Sequence, residues 1–270
     1  MKVTSREYKV MLDHLRFAER KKSLREFWKD LFRIAQRLCL DVTEDHGFKK
    51  LEYRTVRFLD TPAGTFRQNN LILRQRREFE RRGGDLKAGS TTVTLKCRCA
   101  DRYVVAGQNL EAGAQQHLAG KPKFEEDIAP PFLSRFSRSV TIEATRELPT
   151  TLADVSEWFS CLGELSSNGL ACSPETPVTV VNELIAHERV YSGPVIKLGD
   201  KSVKLAVILW AHRWKSRPIA AEFSFRYGDE DEHYPAESAR QAMDLFAAIQ
   251  GLDWCQTIGS TKTQIAYGVP

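Results

Sequence analysis

Four stretches of this 270-residue chain place charged or polar side chains at alternate positions, and a β-strand presents alternate residues on one face. "TSREYKVML" puts Glu7 and Lys9 two apart, "LILRQRRE" does the same for Arg74 and Arg76, "TTVTLKCR" aligns Thr92, Thr94, Lys96 and Arg98, and "KFEED" aligns Lys123, Glu125 and Asp127. The strand "PIAAEFSFRYG" separates its chemistry cleanly: Phe223, Phe225 and Tyr227 fall on one face, Glu222, Ser224 and Arg226 on the other. One such strand alone reads as a solvated edge. Their recurrence suggests a shared lining of many cations with a few carboxylates. That lining suits a polyanion, because guanidinium and ammonium groups clamp phosphoryl oxygens while carboxylates hold a hard divalent cation that bridges them. A nucleic-acid groove would also be basic, but with aromatic rings interleaved among the cations. Here the aromatics of the clearest strand point the other way.

The elements that must position these residues follow from periodicity. Leu24, Phe27, Trp28, Leu31, Phe32, Ala35 and Leu38 recur at spacings of three and four, predicting an amphipathic helix over Lys22 to Asp41, with "RFAERKK" as a polar lead-in. A second helix is expected over Pro235 to Leu252, with Ala239, Ala242, Met243, Phe246 and Ile249 on its apolar face. A third, shorter one spans about Thr151 to Leu162. Between them the period drops to two, giving strands at Val3 to Leu12, Arg54 to Asp60, Leu71 to Glu78, Thr91 to Arg98, Lys123 to Ile128, Arg135 to Ala144, Val178 to Tyr191 (a strand in its last part), Lys204 to Arg213 and Pro218 to Tyr227. Strand-to-strand connections dominate, so the expected fold class is α+β with an antiparallel barrel of eight or nine strands and helices packed outside. Glycines 83, 84 and 89 read as loop punctuation, no repeat appears, and a single domain over residues 1–270 is the economical reading.

Composition narrows the classes. A formal charge of +5, from 40 basic and 35 acidic residues, favours anionic partners only weakly. No apolar run is long enough to span a bilayer, and "MKVTSREYKV" lacks the apolar stretch of a signal peptide, so the expectation is a cytoplasmic protein with no membrane partner. The six cysteines include one C-x-C and no C-x-x-C, so they are expected to be reduced and mostly buried. His212, beside Trp210 and Trp214, reads as packing, and "GDEDEH" as a solvated turn. No G-x-x-x-x-G-K-[ST] loop is present, which argues against a Walker-type hydrolase.

In order, "E-x-K" at Glu7 and Lys9, "FLDTPAGTFRQNNLILRQRR", "VTLK", "KFEED", "AEFSF" and "STKT" resemble the CYTH superfamily, the triphosphate tunnel metalloenzymes. The resemblance implies a tunnel-like barrel that binds a triphosphate with Mg²⁺ or Mn²⁺. It implies Lys9, Arg74, Arg76 and Lys96 as the catalytic cations, Lys262 as a phosphate ligand, and Arg57, Arg138, Arg189, Lys204 and Arg213 as further phosphate candidates. For the metal it implies Glu7 and Glu222, with Glu125 as a supplementary acid. Ser5 and Ser224 stand where the family carries glutamates, and "VKLAVILWAHRW" offers no aspartate, so a weak metal site is implied. The partner would be a triphosphate-containing small molecule or polyphosphate, with nucleic acid entering only as a 5′-triphosphate end. Two alternatives stand beside a metal-dependent phosphohydrolase: a non-catalytic polyphosphate- or nucleotide-binding module, and an adenylate cyclase.

Overall fold

In the computed structural model, residues 1–44, 46–144, 148–160, 173–256 and 261–268 are described. Leu162, Cys161, Cys172 and Ser260, all used in the sequence reading, lie outside them. Eleven strands form one sheet: β1 (Ser5–Leu12), β2 (Val42–Glu44), β3 (Lys50–Asp60), β4 (Leu71–Arg82), β5 (Asp85–Cys99), β6 (Lys123–Ala129), β7 (Leu133–Glu143), β8 (Thr179–Val180), β9 (Ala186–Leu198), β10 (Lys201–Ala211) and β11 (Ala220–Gly228). Hydrogen-bonded neighbours run β2-β9-β10-β11-β1-β6-β7-β5-β4-β3-β8, and β3 also pairs with β9, so nine strands close a barrel and β2 and β8 are additions. The barrel is mixed rather than wholly antiparallel. Parity requires this, because strand direction cannot alternate all the way round a ring with an odd number of members.

Contacts divide the chain into two compact units. The first holds Met1, Arg54–Glu125 and Arg135–Ile185; the second holds Lys2–Tyr53, Glu126–Ser134 and Ala186–Pro270.

In the second unit, α1 (Arg20–Arg37) and α5 (Ala236–Gln250) cover one face of β1, β9, β10 and β11. Leu24, Phe27, Leu31, Ile34 and Ala35 of α1 are buried at helical spacing. Phe27 packs edge-on against Phe223 at 5.5 Å, Phe246 of α5 meets Tyr8 at 5.3 Å, and Tyr8 stacks on Phe225 at 4.8 Å, each aromatic contact adding about 0.5–1.5 kcal/mol beyond its buried area. Of the expected polar lead-in, Arg16 and Phe17 end a 3-10 turn (His14–Phe17) capped by Asp13 that buries Phe17, while Arg20, Lys21 and Lys22 already belong to α1. Met243 is exposed and Leu245 takes its place in the core, because the buried stripe of α5 runs Ser238, Ala242, Leu245, Phe246, Ile249.

In the first unit, β4 and β5 extend past their expected ends into a long hairpin. Gly83 and Gly84 turn it with positive φ, the conformation that a tight hairpin demands, while Gly89 lies within β5 rather than in a loop. At the other end of β4, the buried carboxylate of Asp60 accepts hydrogen bonds from the backbone N–H groups of Thr61, Phe66 and Arg67 at 2.8–3.1 Å. The Thr61 hydroxyl joins the Thr65 hydroxyl and backbone N–H. This folds "DTPAGTF" into a turn and α2 (Thr65–Gln68), which delivers the chain to β4. Two further helices, α3 (Arg102–Gly107) and α4 (Leu152–Trp158), belong to this unit; α4 is capped by Thr151 and stops at Phe159, so the expected helix is shorter than the pattern suggested. A last helix, α6 (Lys262–Ala266), belongs to the second unit. The predicted strand over Val178 to Tyr191 is broken by a 3-10 turn at Val181–Glu183.

Among the described residues no helix is long and apolar enough to cross a membrane. Of the four free cysteines described, Cys97 is buried, Cys99 and Cys255 are partly so and Cys39 is exposed, so burial is less general than expected. His212 is exposed; the histidine that packs on Trp214 is His187, at 4.6 Å.

Candidate functional site

Strand register fixes which side chains share a face. In the second unit β1 pairs with β11 as Glu7↔Arg226, Lys9↔Ser224 and Met11↔Glu222. β11 pairs with β10 as Arg226↔Lys204, Ser224↔Ala206 and Glu222↔Ile208, and β10 with β9 as Ala206↔Ser192 and Trp210↔Glu188. These residues alternate with Tyr8, Val10, Val207, Leu209, Phe223 and Phe225 of the helix-covered core, so they lie on the opposite face.

That face is organised around two lysines. Lys9 Nζ lies 2.9 Å from Glu7 and 2.7 Å from Asp127 of β6. Lys262, the first residue of α6, lies 2.9 Å from Glu222 and 3.9 Å from Glu188. The capping box of Thr261 and Gln264 starts α6 and so sets where Lys262 emerges. The Trp210 indole donates to Glu188 at 2.8 Å, and Lys262 sits 5.7 Å over the Trp210 ring. The Glu188 and Glu222 side chains are 2% and 7% exposed; carboxylates so buried are ordinarily paired.

In the first unit, β4, β5 and β7 pair as Arg74↔Thr94↔Thr141, Arg76↔Thr92↔Glu143 and Ile72↔Lys96↔Ser139. Leu71, Leu73, Val93, Leu95, Val140 and Ile142 are buried on the other face. The Thr94 and Thr141 hydroxyls bond at 2.9 Å, and Lys96 lies 3.7 Å from Glu125.

The remaining candidates take different positions. Arg57 is half-buried on β3, between buried Val56 and Phe58. Lys204 does share the polar face of the second unit, beside Arg226 in register, but at an exposed position. Arg213 is exposed in the turn after β10. Arg138 pairs with Cys97, on the opposite side of the sheet from Lys96, and donates to the carbonyl of Gln108 after α3. Arg189 pairs with Leu209, on the helix-covered face. Sequence reading left Glu188 and Trp210 out of the site. The signal was there: "AHERVY" alternates His187 and Arg189 with Glu188, and one parity of a strand in which both parities are charged is easily passed over.

Among the described residues, no three His, Cys, Asp or Glu side chains group as metal ligands. Mg²⁺ does not require such a group, since it is commonly bound by one or two carboxylates together with water and substrate phosphates. The donor pairs Glu7 with Asp127 and Glu188 with Glu222, each sharing one lysine, fit that pattern.

No protein-family model matches the chain, and no curated protein matches it. Among solved structures it is similar to a putative adenylyl cyclase from Hippeastrum described as having a dominant triphosphatase activity, at 11% identity over 99% of this chain and 97% of that one, with a TM-score of 0.47. It is also similar to a putative adenylate cyclase from Bacillus halodurans, at 10% identity over 98% and 97% of the two chains, with a TM-score of 0.43.

Proposed function

We propose that the protein binds a triphosphate-containing ligand, such as inorganic triphosphate, thiamine triphosphate or a nucleoside triphosphate, and hydrolyses it with Mg²⁺ or Mn²⁺. The observation that carries this reading is the polar face of β1, β6, β9 and β11, where each of two lysines is held by two carboxylates. The ordered motifs that resemble triphosphate tunnel enzymes support it.

Lys9 and Lys262 are poised to exchange a carboxylate for a phosphoryl oxygen, because an ammonium group carries three donors on a flexible stem. Released carboxylates then orient water and accept its hydrogen bonds. Arg74, Arg76 and Lys96 are cations that the resemblance assigns to phosphate binding, and a planar guanidinium matches two phosphoryl oxygens at once. A bound divalent cation would offset phosphate charge and lower the pKa of water, the chemistry that phosphoryl transfer calls for.

The second reading, a binding module without turnover, is favoured by Ser5 and Ser224: Ser224 sits beside Lys9 in register where the resembling family carries an acid. One assay separates the two. Phosphate release from the three substrates with Mg²⁺ or Mn²⁺ is expected in the native protein and should fall by about tenfold to a hundredfold in Lys9→Ala, the loss of one charge-assisted contact. Triphosphate that raises Tm without metal and is never cleaved selects the binding module, and cyclic product from ATP selects the cyclase.

A further inference from the structure

His187 and Arg189 leave β9 on the helix-covered side, away from Glu188. The Arg189 guanidinium donates to the carbonyl of Trp214, and that of Arg20, the first residue of α1, donates to the carbonyl of Ser216. Two guanidinium groups from different elements thus converge on one turn, all within the second unit. Each carries five N–H donors, far more than the turn takes up. Among the described residues neither forms an ion pair, and Arg20 Nε and His187 Nδ1 are buried without hydrogen-bond partners. The acids adjacent to Arg20 and Tyr53 in sequence, Glu19 and Glu52, are exposed and bond to neither arginine.

Two features argue against an accidental meeting of cations. Arg189 lies against two rings, 5.8 Å from the Tyr53 centroid and 5.9 Å from that of Trp214, which themselves pack edge-on at 5.4 Å, while His187 packs edge-on against Trp214. A guanidinium fixed in this way loses little freedom when it binds a ligand. The pair is also electrostatically unfavourable as it stands: burial and the charge of Arg189 push the pKa of Arg20 down. The turn adds exposed Arg213, Lys215 and Arg217 and so deepens the positive field.

We propose that Arg20, Arg189 and His187 form a second anion site, on the helix-covered side of β9, that takes a phosphate-type oxyanion. The two guanidinium groups would supply forked donors to its oxygens, and the imidazole a further hydrogen bond. The site is separate from the lysine–carboxylate face and stands whether or not that face hydrolyses triphosphate.

The test is calorimetric titration of the full chain with inorganic phosphate and, separately, with AMP. Wild-type protein is expected to bind phosphate; Arg20→Gln, which can still donate to the Ser216 carbonyl, and Arg189→Gln should each weaken binding by about tenfold or more, while Lys87→Ala, at an exposed lysine of the β4–β5 hairpin, leaves it unchanged. Binding of inorganic phosphate alone would mark a site for free phosphate, and binding of both a site for phosphate monoesters; either upholds the proposal. Independently of any variant, the His187 imidazole resonances of the native protein should shift as phosphate is added. The proposal is overturned if wild-type protein binds neither ligand, if folded Arg20→Gln and Arg189→Gln bind as wild type does, or if Lys87→Ala weakens binding as much as they do.

Discussion

Asp60 in the first unit and Glu222 in the second are both buried acids, 2% and 5% exposed as whole residues, and their partners differ in kind. Asp60 is held by three backbone N–H groups that cannot leave without unfolding the turn they belong to. Glu222 is held by Lys262, a side chain on a five-residue helix. The first arrangement is architecture. The second is exchangeable, because a divalent cation can take the place of the ammonium group, or a phosphate can draw that ammonium away, without breaking a turn. The identity of the partner therefore separates structural acids from acids available for chemistry.

The largest expected effect breaks the structural half of that contrast. Asp60→Ala removes the acceptor from three N–H groups in a site that water reaches poorly, and should cost about 3 kcal/mol of stability. The loss would be measured as a fall in the urea midpoint at unchanged slope, and added Mg²⁺ should not restore it. Lys262→Ala probes the exchangeable half. It leaves Glu188 and Glu222 without their cation at a cost of about 2 kcal/mol, below the ~3–5 kcal/mol of a deep rigid pair because the carboxylates can take up protons instead. Here Mg²⁺ should raise Tm more in the variant than in wild type, since the metal fills the place the lysine left. Equal metal responses in the two proteins would remove the distinction between the two acids.

The contrast was only partly legible in the sequence. Period-two patterning marked most of the strands and the correct faces of β1, β4, β5 and β11, because alternation is local and a strand buried on one side records it directly. The "FLDTP" stretch was recognisable as a motif, yet nothing in it says that Asp60 accepts bonds from residues up to seven positions ahead. Arg138 and Arg189 were plausible phosphate ligands by residue type. Their parity relative to Cys97 and Leu209 is what places them on the other side of their strands. Glu188 was missed because β9 is charged on both faces near its start, so hydropathy alone gives no preferred side. The mixed character of the barrel depends on how many strands close the ring, a property of the whole chain that no single segment carries.

Asp229 combines both kinds of partner and supplies the smallest expected effect. It accepts backbone N–H bonds from Asp231 at 2.9 Å and His233 at 3.1 Å, and Lys201 approaches it at 3.0 Å. The His233 bond, then the lysine and the Asp231 bond, hold its carboxyl down at about 2, against an ordinary 3.8. A carboxyl depressed in the folded state stabilises the fold above its unfolded pKa and loses that contribution as pH falls, so the loss runs from about pH 4 down to about pH 2. Asp229→Asn keeps one acceptor oxygen but cannot titrate, so its stability should be lower than that of wild type at pH 7 and converge with it toward pH 2. Because this turn is in contact with water, the difference should be far smaller than for Asp60→Ala. If the two proteins instead stay equally far apart down to pH 2, charge is not what Asp229 contributes, and its backbone bonds alone place it with Asp60 among the structural acids.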